Sequence, residues 1–258
     1  MRKPEHAEPQ AGWLVPDWPA PAGVRAFCTT RAGGVSTGAY ESLNLGLKSG
    51  DAPERVAVNR GRVREAADGA HLAWLSQVHG TRCIGLDAGS PEGQEADACI
   101  TGETGVACAV MVADCMPVLL CDAAGAQVAA AHCGWRGLAG GVLERTAAAF
   151  AEPASTLMAW LGPCIGPQVF EVGPEVKAAF EAHAPGAAAC FRPGAREGKW
   201  LADLPALARQ RLAALGVHGV HGNDGSAAWC TVGNPSRFFS YRRDGAASGR
   251  MAALVWRA

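Results

Sequence analysis

The segment from Ala73 to Trp135 constrains this 258-residue chain more than any other. Short β-rich runs (RCIGL, DACIT, VACAVMVADC, PVLLCD, AQVAAAHCGW) follow one another there, separated only by Gly, Pro and Asp breaks. Runs of this kind read as strands. Several come in succession with no helix between them, which argues against a pure βαβ fold and for an α+β class with layered, mixed β-sheets. Helices are expected to flank this sheet core. Pro53 to Asp68 places Val56, Val63 and Ala67 on one face and its arginines on the other, with Asp51 as the candidate cap and Gly69 as the stop. An Ala-rich helix is predicted from about Leu138 to Glu152, and further helices in PEVKAAFEAH and WLADLPALARQRLAALGV. Val24 to Thr30, LMAWLGPCIG, HGVHGN, FFSYRR and MAALVW complete the expected strands. The division expected is a Pro-rich N-terminal lead over residues 1–23, then one catalytic domain over 24–258.

Charge excludes some partners. Lys+Arg 23 against Asp+Glu 24 gives a net charge of -1, so no overall field draws the chain to nucleic acid or an anionic membrane. No stretch approaches the roughly 20 apolar residues of a membrane span; VACAVMVADCMPVLLCD is broken by Asp114, Pro117 and Asp122. The ten cysteines are not read as a disulfide framework, because the chain is long and its start has no apolar signal core, and a cytoplasmic location is expected. Cys28, Cys83, Cys99, Cys108 and Cys121 sit in apolar runs, where a reduced thiol behaves as a small hydrophobe.

Three strand-to-turn segments carry metal-capable side chains: His79 in SQVHG, Cys115 in VADCMP and His132 in AAHCGWRG. Their separations of 36 and 17 residues do not suit a compact zinc finger, but suit ligands gathered from different strands. Two imidazoles and a thiolate suit Zn2+, and three protein ligands leave a position open for chemistry. Cys133 is an alternative fourth ligand of a closed structural site, although neighbours on a strand point to opposite faces. Other readings are a Cys115–His132 hydrolase, which leaves His79 without a role, and a copper centre, for which six histidines beyond His6 are too few.

Around these residues, Asp97 opens a buried-looking strand, where a carboxylate should orient a ligand histidine or move a proton. Asn44, in the Gly/Ser-rich loop, is a candidate catalytic residue reading a base edge or ribose hydroxyl. Arg31 and Arg243 are the preferred phosphate ligands, expected to face each other across one cleft, with Arg242 and Arg250 behind them. Glu171 in FEVG is a weaker candidate.

The series TTRAGGVSTGAYESLNLG, SQVHG, ADACIT, VADCMPVLLCD, AAHCGWRGLAGG, GPCIG with FEVG, and FFSYRRDGAASGR resembles the YfiH-type family, also labelled multicopper polyphenol oxidoreductase or laccase-like, and purine nucleoside phosphorylase. The likeness runs in order from about Phe27 to Trp256. It implies an α+β fold with mixed sheets, zinc at His79, Cys115 and His132, and purine nucleosides and phosphate as partners. The implied reactions are phosphorolysis of adenosine, inosine, guanosine and methylthioadenosine, and deamination of adenosine. For some bacterial members it also implies a role in editing peptidoglycan precursors.

Overall fold

The computed structural model describes residues 10–258; the first nine residues of the Pro-rich lead, with His6, lie outside the described residues. In chain order the elements are β1 (Val24–Cys28), α1 (Pro53–Ala66), β2 (His71–Leu72), β3 (Cys83–Gly85), β4 (Ala98–Thr101), β5 (Val106–Val112), β6 (Met116–Asp122), β7 (Val128–Cys133), α2 (Trp135–Gly140), α3 (Val142–Ala147), β8 (Leu157–Leu161), β9 (Glu171–Val172), α4 (Pro174–Glu181), β10 (Phe191–Pro193), β11 (Trp200–Ala202), α5 (Leu204–Ala214), β12 (Gly219–Gly222), α6 (Tyr241–Asp244) and β13 (Met251–Arg257). They form a four-stranded sheet ordered β1-β13-β5-β2, a six-stranded sheet ordered β12-β8-β6-β7-β4-β3, and a small sheet β10-β11-β9. Parallel and antiparallel pairings mix in both larger sheets. The α+β expectation with layered mixed sheets holds.

Period-2 alternation explains the layering. In β6, Leu119 and Cys121 join Cys108 and Val110 of β5 and Ala253 and Val255 of β13 in the core between the two large sheets. Val118 and Leu120 point the other way, onto Leu143 and Ala147 of α3 and Leu207, Ala208 and Leu212 of α5. Phe27, Ala109, Leu254 and Trp256 cover the outer face of the four-stranded sheet, under Val63 and Ala67 at the end of α1. The order is helix, sheet, sheet, helix. Central strands buried on both faces read as continuous apolar runs, as β5 and β6 do. Among the described residues no helix is long and apolar enough to cross a membrane.

Four local expectations are corrected. The helix expected over 138–152 begins at Trp135, breaks at Gly141 in a left-handed conformation (φ 99°) and resumes as α3. FFSYRR does not close a sheet: Tyr241–Asp244 is one helical turn capped by Ser240. Trp200–Ala202 is a strand, with Asp203 capping α5 behind it. Asp51 does not cap α1, whose N-cap is Ala52; its carboxylate instead takes bonds from Ser36 Oγ and Asn44 Nδ2.

Candidate metal centre and its cleft

Antiparallel pairing of β6 and β7 sets His132 opposite Pro117, so the end of β7 lies beside the start of β6, where Cys115 sits one residue before Met116. β7 also pairs with β4, which brings in Asp97 just ahead of Ala98. His79 comes from the loop between β2 and β3, and Asp97 holds that loop: its carboxylate, fully buried, accepts the N–H groups of Val78, His79 and Gly80 at 3.1, 2.9 and 2.6 Å. It also takes a bond from His132 Nδ1 at 2.8 Å. That bond fixes the tautomer and leaves His132 Nε2 free to face Cys115.

The ligand atoms of His79, Cys115 and His132 all lie within 4.8 Å of one another, the one such group of metal-capable residues among those described. Two glycines make the closeness attainable. A Cβ on Gly134 would lie 2.8 Å from Cys115 Sγ and 2.9 Å from His79 Cδ2, and one on Gly137 would lie 2.7 Å from the Gly80 carbonyl. His79 itself adopts φ 60° and Asp114, beside Cys115, φ 87°, a region where non-glycine residues carry strain. Cys133 points to the opposite face, into the core with Met116 and Leu138, and takes no part.

Burial pushes the Cys115 thiol up, but the charge of His132 and hydrogen bonds from both histidines outweigh it and bring the thiol down to about 6. Burial likewise lowers His132, and Cys115 and Asp97 more than offset that, raising it to about 9. Burial also raises the Asp97 carboxyl, but the His132 bond and the backbone donors hold it below its ordinary value. The trio therefore favours thiolate at neutral pH, the form that binds metal. By contrast, burial pushes Cys28 and Cys108 above the usual thiol range, and Cys83 and Cys121 up to about 12, as suits inert packing. Two nitrogens, one sulfur, a buried carboxylate behind one histidine and an exposed third ligand suit a borderline-soft transition metal with one side left open.

That side opens into a cleft of about 800 Å³. Its walls carry Lys48, Arg60, Arg136, Arg242 and Arg250 against two carboxylates, Glu92 and Asp114. Four of the arginines lie over aromatic rings that also face the cleft: Arg60 on Trp74, Arg136 on Trp135, Arg242 on Phe170 and Arg250 on Tyr241, at 4.5–5.8 Å. Burial lowers Arg250, and the charges of Cys115 and Asp114 act against that, which places its guanidinium within electrostatic reach of the centre.

The remaining candidates lie elsewhere. Arg31 gives its donors to the carbonyls of Glu41 (2.7 Å) and Pro235 (2.6 Å) and covers Phe239; Arg243 bonds the carbonyls of Thr231, Val232 and Phe238 and the carboxylate of Asp244. Neither lines the cleft, because each guanidinium is consumed in tying loops together. Asn44 is buried and fully engaged, donating to Ser49 Oγ and Asp51 and accepting from the N–H groups of Gly46 and Arg250. It sits behind the wall as a tie between the Gly/Ser-rich loop and Arg250. Glu171 pairs with Arg196. Lys48, Arg60, Arg136 and Tyr241 were not singled out in the sequence; the signal available was their place in or beside Gly-rich breaks and next to aromatics.

Fold and site thus define a helix–sheet–sheet–helix protein with a candidate His–Cys–His metal centre at the base of a cationic cleft. The chain matches the family described as multi-copper polyphenol oxidoreductase laccase over residues 25–258, and it belongs to that family, of which the YfiH proteins are members. A Pseudomonas aeruginosa protein named purine nucleoside phosphorylase is 49% identical over 244 residues, covering 95% of this chain and 98% of its own. Purine nucleoside phosphorylase YfiH of Escherichia coli is 49% identical over 245 residues, covering 94% and 98%. The crystal structure of a Neisseria meningitidis protein superposes with a TM-score of 0.90 at 52% identity, covering 95% of this chain and 99% of that one.

Proposed function

We propose that the chain is a zinc-dependent purine nucleoside enzyme, its residues 24–258 acting as one cytoplasmic catalytic domain that phosphorolyses adenosine, inosine, guanosine and methylthioadenosine and deaminates adenosine. One observation carries the reading: His79, Cys115 and His132 converge on the floor of a cleft whose walls are cations and aromatic rings. The names of the relatives, purine nucleoside phosphorylases, support it. Zinc held by these three residues would supply Lewis acidity and activate water near neutral pH at its open position. The protein's own part is binding and orientation. Trp135 and Tyr241, the more exposed rings of the cleft, offer aromatic surface for a base, and Arg250 with Arg242 and Lys48 offers the charge to hold a phosphate against the ribose carbon as the carbon–nitrogen bond to the base breaks. Arg31, Arg243 and Asn44 support that wall from behind, and Asp97 keeps His132 oriented.

Incubating metal-quantified protein with a nucleoside panel, with and without phosphate, tests this. Inosine should give free base and ribose 1-phosphate only with phosphate, and adenosine should give inosine without it. Free base from inosine in the absence of phosphate would point to a hydrolase instead. A second reading has its own observation: Cys115 meets His132, which meets Asp97, an arrangement of nucleophile, base and orienting carboxylate suited to hydrolysis of an amide or a peptidoglycan precursor. Amide hydrolysis that survives complete removal of metal would favour it. Copper chemistry has less to stand on, since His79 and His132 are the only histidines in a metal-capable group among the described residues.

A further inference from the structure

Asp114 precedes a candidate metal ligand, faces the cleft and holds a left-handed backbone at φ 87°. Both of its carboxylate oxygens are taken. Thr231 Oγ1 donates to Oδ1 at 2.5 Å, and the backbone N–H of Arg242 donates to Oδ2 at 2.6 Å. Its carbonyl accepts the N–H of Ile165 at 2.9 Å, another cleft residue. These bonds reach 117 and 128 residues along the chain, so one side chain joins the floor of the cleft to its C-terminal wall.

The fastened segment is α6, a single turn that would be marginal alone. Its first two residues are Tyr241, whose ring lies beneath Arg250, and Arg242, which lies over Phe170. Arg243 and Ser240 brace the segment from its far side. On the cleft side the carboxylate of Asp114 supplies the acceptor for the second residue of the turn.

We propose that Asp114 is a positioning residue, which sets the Tyr241–Arg250 and Phe170–Arg242 pairs at the distance from the His79–Cys115–His132 floor that phosphate requires. It acts through hydrogen-bond geometry and takes no proton in the reaction. This rests on the phosphorolysis reading above for its kinetic consequence, and on the fold alone for its structural one.

Substitutions separate the alternatives. Asp114→Gly removes the carboxylate while suiting the left-handed backbone, so the turn loses its tie without new strain. Asp114→Asn keeps the geometry without the charge: its oxygen accepts from Arg242 N–H and its amide donates to the Thr231 hydroxyl, which is able to accept. Thr231→Val removes one bond from the other end. In phosphorolysis of inosine, Asp114→Gly should raise KM for phosphate about tenfold or more, with kcat and the rate of adenosine deamination changed far less. Asp114→Asn should restore KM to within about threefold of the unsubstituted value, and Thr231→Val should fall between. Hydrogen exchange at residues 241–244 should quicken in Asp114→Gly and not in Asp114→Asn. An Asp114→Asn protein as impaired as Asp114→Gly would overturn the proposal in favour of a role for the charge. Unchanged exchange at 241–244 in Asp114→Gly would overturn it outright. If the unsubstituted protein performs no phosphorolysis, the functional reading fails, and the exchange result still decides whether the clamp exists.

Discussion

The floor of the cleft and its cationic wall are built by different means. The floor stands on strand ends: β6 and β7 fix Cys115 and His132 through ladder hydrogen bonds, and a buried carboxylate holds the His79 loop through three backbone N–H groups. The wall stands on loops and one helical turn, fastened by side chains reaching carbonyls and amides far along the sequence. The ends of central strands tolerate little adjustment, which suits a metal centre; a wall of fastened loops can vary its side chains while the floor stays fixed. Damage to the floor should therefore abolish function, and damage to the wall should grade it.

The largest effect expected is at the floor. Cys115→Ala removes its one thiolate and should lose most bound metal and all activity, while circular dichroism remains close to native, since the core clusters do not depend on Cys115. Asp97→Ala should come next: the loss of one carboxylate frees His132 and leaves the N–H groups of Val78, His79 and Gly80 without an acceptor. Metal affinity should fall about 10- to 100-fold, as for other carboxylates behind ligand histidines. If metal titration gives native affinity for either variant, the floor is not held as described.

Two arginines near the C-terminus separate the wall from what braces it. Arg250→Ala should lower phosphorolysis about 10- to 100-fold and cost less stability than Arg243→Ala, because its guanidinium lies over Tyr241 beside the cleft and bonds only the carbonyls of Ser248 and Gly249 next to it in the chain. Arg243→Ala should do the reverse, costing about 1–3 kcal/mol of stability by stranding the carbonyls of Thr231, Val232 and Phe238, with its catalytic loss following only from loosened structure. Matching kinetic and thermal profiles for the two would erase the distinction.

How much of this was legible in the sequence follows the same division. Continuous apolar runs in β6 and β7 announced strands buried on both faces, and the break before β6 and the turn after β7 placed Cys115 and His132 at strand ends. A carboxylate opening an apolar strand marked Asp97 as a residue needing partners. The wall was legible only in part: Arg242 and Arg250, the less favoured arginine candidates, line it, and the preferred Arg31 and Arg243 do not. Arg242 and Arg243 are neighbours of the same type, and only the phase of one helical turn, set by Ser240 and Asp114, sends one to the cleft and the other to the loop behind. The left-handed Gly141 that splits α2 from α3 is likewise a tertiary decision, since the Ala-rich run around it reads as one helix. Arg31 looked available because the glycines beside it suggested an open loop, whereas the carbonyls of Glu41 and Pro235 claim its donors.

A smaller effect concerns pH in metal-free protein. The folded Cys115 thiol is lowered to about 6, so its contribution to stability is present above the unfolded thiol's range and is lost as pH falls through about 6. The folded His132 is raised to about 9, so its contribution is present below the ordinary imidazole value and is lost as pH rises through about 9. Between about pH 6 and 9 the two trends oppose each other, Cys115 gaining what His132 loses, so melting temperature without metal should vary little across that window. Bound metal should make melting temperature rise with pH over the same window, because neutral imidazole and thiolate are the ligating forms and protons compete at the acid end. A steep pH dependence of melting without metal between about pH 6 and 9 would show the two groups to be uncoupled.

Whether His79, Cys115 and His132 hold a zinc ion used in purine nucleoside chemistry is decided by elemental analysis of purified protein, paired with product identification from inosine and phosphate before and after chelation. About one zinc per chain is expected, with free base and ribose 1-phosphate as products, lost on chelation and regained on adding zinc. Stoichiometric copper in place of zinc, or full activity in metal-free protein, would rule out a zinc enzyme at this site.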